Sequence, residues 1–481
     1  MTVSGPYMGF PACTEESTLT DTPQTKQLFF EAMTGKIDRR EIFKRAAALG
    51  IAAPAAAALV NMASVTPAAA IEEGTLTITY YDWILNLLPA VSIFNEDFNN
   101  TFPLSSEVAP SQGFGIDRFI AEARDGTSTW DAYVGTTPFL EMIQLAESGA
   151  IEPWDPYLPE GFFDLIPESI RNEGSYNGSF YVWPFVLDIC TQSWNAAQVE
   201  AAGLDPNSAP ATWDELISNA RTVIETEAAP FGLVFDFHAW RSLLPIAHSI
   251  STDIYDENGL VIWNHDAVVE ALEIMKQMME VTIPDALNEG TTDGGVNQTP
   301  DEVAFTQQLA TYYVKYQTAP LRMANTWPDP DQLRYGVLPK TENGVGGTVF
   351  WCTGASLLTY GVNKQAAADY MMSMTTDMRI WEAAIAGLPD EGIVASGHLP
   401  LTQTVWDDLT TNTPEWMAGK EWAFDVWNSL PNASAIAPSK LSITQFNVVT
   451  PFYTAYLRGD VDDARQALTD GYNAVQTEFN L

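Results

Sequence analysis

An α/β protein of two lobes, each a mostly parallel sheet flanked by helices, is what this sequence predicts, and three observations carry the prediction. Its 481 residues exceed the roughly 250–300 at which a single hydrophobic core stops growing. A composition of 46% hydrophobic and 11% aromatic residues belongs to a packed chain rather than a disordered one. Segments of strand and helix character alternate along it, the pattern of a parallel sheet covered on both faces.

The run TLTITYYDW, Thr75 to Trp83, is rich in β-branched and aromatic residues and predicts a strand ending near Tyr81. AVSIFNEDFNN then predicts a helix. TWDAYVGTTP, Thr129 to Pro138, predicts a second strand entering a Gly-Thr-Thr-Pro turn, followed by the helix FLEMIQLAESG, which Gly149 closes. YNGSFYVWPFVLD, Tyr176 to Asp188, reads as a buried strand that carries Trp183, Pro184 and a terminal Asp188. In SAPATWDELISNARTVIETEA, Thr212 can cap the N–H three residues on while Glu215 reaches back, a capping box. Leu216, Ala220, Val223 and Ile224 give that helix one apolar face.

DAVVEALEIMKQMME predicts another helix, and DEVAFTQQLATYYVKY reads as a mixed helix. LRYGVLP and GTVFWCTGASLLTYGV predict strands, with KQAAADYMMSMTT a helix behind them. VDDARQALTDGYNAVQTEFNL predicts a closing amphipathic helix started by acids. No repeat of fixed period interrupts the order.

Twenty-two basic residues stand against 62 acidic ones, a net charge of −40. Such a surface repels nucleic acid and anionic lipid, so no nucleic-acid partner is expected, and adaptation to salt explains it best. Cys13, Cys190 and Cys352 make no disulfide scaffold, and buried thiols at Cys190 and Cys352 are favoured over a bridge between them. The four histidines lack metal-ligand spacing, and no GxxxxGK[ST], GxGxxG or GxSxG occurs. No metal and no cofactor is therefore expected.

Arg39, Arg40, Lys44 and Arg45 precede a segment without charge from Ala46 to Ile71 that is mostly alanine and ends in Ala68-Ala69-Ala70. A basic start, a weakly apolar middle and a small-residue end are the layout of a secretory signal. The segment is too poor in Leu, Ile and Phe to be preferred as a membrane span. The arginine pair resembles a twin-arginine signal, with Asp38 where Ser or Thr is usual and Ile42-Phe43 in place of the common Phe-Leu. Residues 1–37 would be a leader, or Met33 the start. Six basic and six acidic residues lie in 1–70, so the whole charge imbalance belongs to the rest of the chain.

The stretch YNGSFYVWPFVLDICTQSWNAAQVEAAGLDPNSAPATWDEL resembles the extracellular solute-binding proteins of ABC importers, in the carbohydrate-binding branch that includes maltose-binding protein. The shared pattern is an Asn-Gly turn, a strand with Pro, an aromatic-Asn pair, and P-x-TW-x-E-L. STWDAYVG, YGVLP and the closing helix follow in that family's order, so the resemblance covers nearly all of 75–481. It implies a type II periplasmic-binding-protein-like fold with the ligand in a cleft between the lobes. It further implies a monomer that takes a sugar or polyol, hands it to permease subunits in the membrane, and works in the periplasm or on the outer face of the membrane. The expected division is 1–70 leader and signal, 71–187 and 336–390 first lobe, 188–335 and 391–481 second lobe.

A strand crossing between lobes can hold Pro184, which cannot donate to a central ladder. Asp188 beyond it would then face the cleft, where sugar hydroxyls can satisfy it. Sugar C–H faces lie on aromatic rings, and the chain has 15 tryptophans. The ring candidates are Trp83, Trp183, Trp240, Trp327 and Trp351, Trp327 by its resemblance to the aromatic platform of the maltose-binding branch. The polar candidates are Asp82 and Thr136-Thr137 at predicted strand ends, where open sheets bind ligands, with Asp188, Arg241 and Thr353. An exported glycoside hydrolase also uses rings and carboxylates, but no acid pair stands out. A polyamine-binding relative is the third reading, which an arginine in the cleft would oppose.

Overall fold

Two long strands organise the fold. In chain order the main strands are β1 (Leu76–Tyr80), β2 (Leu104–Val108), β3 (Ala132–Thr136), β4 (Trp183–Asn195), β5 (Phe231–Phe235), β6 (Ala310–Tyr316), β7 (Leu333–Val337), β8 (Thr348–Leu358) and β9 (Leu399–Pro400). They join one sheet in the order β2-β1-β3-β8-β4-β6-β5, with β7 and β9 also on β4. Pairing is parallel at both ends, in β2-β1-β3 and in β6-β5. In the middle β4 and β8 run antiparallel to each other and to their neighbours β6 and β3.

The computed structural model describes residues 44, 45, 48, 74–108, 116–293, 296–319, 322, 329–441 and 443–480. The chain divides into the units Met1–Ala70 and Ile71–Leu481. The export segment lies outside the described residues apart from Lys44, Arg45 and Ala48, and Trp327 lies outside them too. Among the described residues no helix is long and apolar enough to cross a membrane, and no group of His, Cys, Asp or Glu could hold a metal.

Two large hydrophobic cores sit on the sheet, with a smaller third cluster around Phe119, Trp130 and Tyr133. The first gathers Ile78, Val134, Val186 and Leu357 from β1, β3, β4 and β8. Helices α1 (Asp82–Leu87) and α2 (Ala90–Asn99) contribute to it, as do Met371 and Met374 of α6 (Lys364–Thr376). The second gathers Trp194, Leu233, Val314 and Leu333 from β4, β5, β6 and β7. Onto it pack α3 (Trp213–Glu225), α4 (Leu243–Ile250), α5 (Asp266–Met278), α7 (Ile443–Arg458) and α8 (Ala464–Phe479). Leu399, Trp406 and Val426, expected with the second lobe, belong to the first core.

Three local readings change. The strand read at 176–188 begins later: Asn177 and Gly178, at φ +50° and +82°, turn a hairpin between Ser175–Tyr176 and Ser179–Phe180. β4 then runs on to Asn195 with all 13 residues buried, so Asp188 sits mid-strand rather than at its end. Pro184 lies where the β4–β8 register shifts, opposite Gly354, and a Cβ on that glycine would come 2.0 Å from the Trp183 carbonyl oxygen. The mixed helix read at 301–316 divides into a helix, Pro300–Thr306, and β6. YYVKY is β-prone, and pairing on both edges, with β4 and β5, decides it. Third, the capping box is offset by one residue on its return leg.

Thr212 Oγ1 accepts from the Glu215 N–H at 3.1 Å, as read, but Glu215 Oε2 accepts from the Ala211 N–H at 2.8 Å. Thr212→Ala is expected to lower stability by about 1 kcal/mol. An unchanged urea midpoint would show that this cap contributes nothing.

Candidate functional site

Asp188 lies where β4 changes partners. Its first half pairs with β8, placing Asp188 directly opposite Trp351. From Cys190 on, β4 pairs with β6 on one edge and β7 on the other. Side chains from both cores therefore converge at this point. Thr318, just past β6, donates its hydroxyl to Asp188 Oδ1 at 3.1 Å. Burial raises the Asp188 pKa to about 7, against the Thr318 hydroxyl, the Arg241 and Arg322 guanidiniums and the Trp351 indole, which favour the charged form.

An aromatic wall adjoins it. The Trp351 ring meets Tyr316 edge-on at 5.5 Å and Phe139 at 6.0 Å. Phe139 comes from Pro138–Met142, a π-helical turn after β3, yet it packs with the second core against Phe446 of α7. Thr137 and Thr353, both buried, share a hydroxyl–hydroxyl hydrogen bond of 2.9 Å between the β3 end and β8. The Arg241 guanidinium carbon lies 5.5 Å from the Tyr316 ring centre and 5.6 Å from that of Trp240.

Behind this wall is a buried ion network. Lys315 on β6 is fully buried, with Nζ 2.9 Å from Asp301 and from Glu302 and 3.0 Å from Asp236. Arg241 Nη1 lies 2.8 Å from Asp236 Oδ2, and Arg322 Nη2 lies 2.7 Å from Glu302 Oε2. Three carboxylates and three cations balance, which holds Arg241 and Arg322 beside Asp188 without a net charge to desolvate. His238 Nδ1 adds a 2.6 Å contact to Asp236.

Of the residues the sequence singled out, the structure brings together Asp188, Trp351, Arg241, Thr137 and Thr353, with Trp240 stacked under Arg241. Trp240 itself packs edge-on against Phe446. Thr136 ends β3, buried, with Oγ1 lacking a partner. Asp82 and Trp83 open α1 after β1. Asp82, Tyr81 and Glu141 all lie close enough to the buried Tyr133 phenol to help raise its pKa, burial being the main cause. Trp183 is placed elsewhere: its ring is buried in the first core against Trp154 and Phe162, at 5.3 and 4.4 Å.

Sequence reasoning missed Phe139, Tyr316, Gln317, Thr318, Lys315 and Glu141. A lysine between tyrosines in a β-prone run was the available signal, since a buried ammonium requires carboxylates. Glu141 is buried, accepts from the Thr137 N–H at 3.3 Å through Oε1, and is pushed up to about 8 by burial. Cys190 and Cys352 are free, buried thiols.

Residues 115–378 match the family model described as bacterial extracellular solute-binding protein. Over 131 residues the chain is 22% identical to the probable amino-acid ABC transporter periplasmic-binding protein y4oP of Sinorhizobium fredii, a match spanning 26% of this chain and 30% of that protein. Among solved structures, the GacH receptor of Streptomyces glaucescens, studied unliganded and with acarbose, superposes with a TM-score of 0.66 at 17% identity. That match covers 84% of this chain and 98% of the receptor. Maltose-bound T. maritima MalE3 gives 0.68 at 16% identity, covering 85% and 100%. A ribitol complex from Agrobacterium radiobacter gives 0.64 at 15%, covering 86% and 100%. At these identities the likeness is one of fold.

Proposed function

The chain belongs to the bacterial extracellular solute-binding protein family, and we propose that it captures a sugar or polyol between its two lobes and delivers it to a membrane permease. The observation that carries this reading is the crossing point itself. Asp188 offers an acceptor, Thr137 and Thr353 offer hydroxyls, Arg241 offers donors, and Trp351, Tyr316 and Phe139 offer rings. Hydroxyl edges and C–H faces are what such a set recognises.

The lobes in this reading are the two cores, joined by β4 and β8, and their closure over the solute sequesters it. Export through the arginine-paired segment would place the protein outside the membrane, where the family works. We read it as a carrier rather than a hydrolase, since the carboxylates behind the aromatic wall are held in ion pairs. A polyamine would meet Arg241 and Arg322 beside the one acid it needs, so a neutral solute fits better.

The test is a thermal-shift screen of the full chain with maltose, D-mannitol, ribitol, spermidine and amino acids. A solute at about 100 times its Kd should add roughly 2.7 kcal/mol. A sugar or polyol shift that Asp188→Asn reduces at least tenfold in affinity supports the reading. Shifts with spermidine or amino acids alone, or cleavage of a glycoside, overturn it.

A further inference from the structure

The ladder along one edge of β4 has a gap at the functional site, and a side chain closes it. β6 pairs with β4 down to Tyr316 opposite Cys190. The Gln317 N–H still donates to the Ile189 carbonyl at 3.0 Å. The main chain then leaves the sheet, and β9 takes up the same edge only at Leu187 and Val186. Between them the Gln317 amide stands in for a peptide group. Its Oε1 accepts from the Ile189 N–H at 2.7 Å, and its Nε2 donates to the Leu187 carbonyl at 2.8 Å. The backbone partners admit only this orientation of the amide, since one is a donor and the other an acceptor.

The two peptide groups it holds flank Asp188 on either side. We propose that Gln317 is the positioning residue for solute recognition, fixing the backbone on both sides of Asp188 so that its carboxylate faces the crossing between the lobes. The inference rests on the solute-binding reading of that site. Gln317 itself is fully buried and acts through Asp188, while the next residue, Thr318, orients the Asp188 carboxylate directly. A backbone clamp and a side-chain contact thus come from consecutive residues, at the place where β4 changes partners. Without the amide, a buried N–H and a buried carbonyl next to Asp188 would lose their partners, and the strand would shift to recover them.

The experiment has a solute-free arm and a solute arm, both on the full chain. In the first, the Asp188 carboxyl is titrated by ¹³C NMR in wild type and Gln317→Ala, with Asp188→Asn identifying its signal. Arg241, Arg322, Thr318 and Trp351, which face this carboxyl, stay unchanged in both. A shift of at least about half a unit in the titration midpoint is expected, and a folded Gln317→Ala with an unmoved midpoint overturns the proposal. In the second arm, maltose and D-mannitol affinities are measured in the wild-type and Asp188→Asn backgrounds. Gln317→Ala should weaken binding at least tenfold in the first and leave it unchanged in the second. Equal loss in both would mean that Gln317 does not act through Asp188.

Gln317→Glu covers the case in which the alanine variant fails to fold. As a neutral acid it keeps both an acceptor and a donor, so its affinity relative to wild type should recover at about pH 5 and fall at about pH 8. A ratio that does not change with pH overturns the proposal. If neither solute binds wild type, the solute class is wrong, and the titration arm still decides the role of Gln317.

Discussion

Lys315→Met is expected to destabilise the protein by about 3–5 kcal/mol, the effect of removing one partner from a buried ion pair. Burial by itself would lower the lysine pKa, but Asp301, Glu302 and Asp236 outweigh it and hold Lys315 well above its usual value. Against their own burial, Lys315 and Arg241 hold Asp236 well below the usual carboxylate range, and Lys315 and Arg322 lower Glu302. Without the ammonium, three buried carboxylates share two guanidiniums. Tyr313, whose hydroxyl donates to Asp301 at 2.6 Å, cannot supply the missing charge. Urea unfolding followed by circular dichroism gives the number. Lys315→Met combined with Asp301→Asn should lose less than Lys315→Met alone, because the excess charge is gone. A single-mutant loss under about 1 kcal/mol would mean that these groups are not desolvated as a unit.

Stability should be highest at about pH 4 to 5 and fall on both sides, since Asp188, raised by burial from 3.8 to about 7, adds to the alkaline loss of two buried glutamates and outweighs the gain from two buried histidines. Burial raises Glu141 from 4.5 to about 8 and Glu173 from 4.5 to about 8. The folded protein therefore keeps protons that the unfolded chain releases above about 4.5. Their stabilisation is present below that value and is lost as pH rises through about 8, by roughly 4–5 kcal/mol per group as an order of magnitude. His248 and His398 act on the other side. Burial lowers each from 6.5 to about 3. The unfolded chain takes up protons that the fold refuses, so this stability is present above about 6.5 and lost as pH falls towards 3. Glu141→Gln should flatten the alkaline limb by several kcal/mol while leaving the acid limb unchanged. An alkaline limb equally steep in Glu141→Gln would show that Glu141 is ionised in the fold.

The two acids also differ in place. Glu173 accepts from the Cys352 N–H at 3.0 Å, between Trp351 and Thr353, and so supports the backbone of two site residues. Glu141 sits in the turn that carries Phe139 to the second core. The sequence signalled neither: Glu141 stands in an apolar stretch and Glu173 in a polar one, and in either a carboxyl looks the same whether it is buried or reaches water.

Much of the fold is legible in the sequence. β1, β7, β8, α5, α6 and α8 lie within or close to the segments read for them, because each rests on periodicity and caps within about 15 residues. Asp188 was legible too, since a carboxylate in an otherwise apolar run needs partners and announces them. The arrangement of fold motifs along the chain agrees with the family that the match over 115–378 identifies.

What the sequence by itself determined is local: which segments are strands or helices, where the Thr212 cap falls, and that Asp188 must be satisfied by something. Only the tertiary structure decided that Trp183 serves the first core while Trp351 faces Asp188. It also turned Ala310–Tyr316 from helix to strand, and assembled the network around Lys315. The physical reason is distance along the chain. Gln317 and Ile189 are 128 residues apart, and Thr137 and Thr353 are 216 apart. Such contacts form only when β4 and β8 have crossed between the cores, and no local pattern of propensity or spacing carries them.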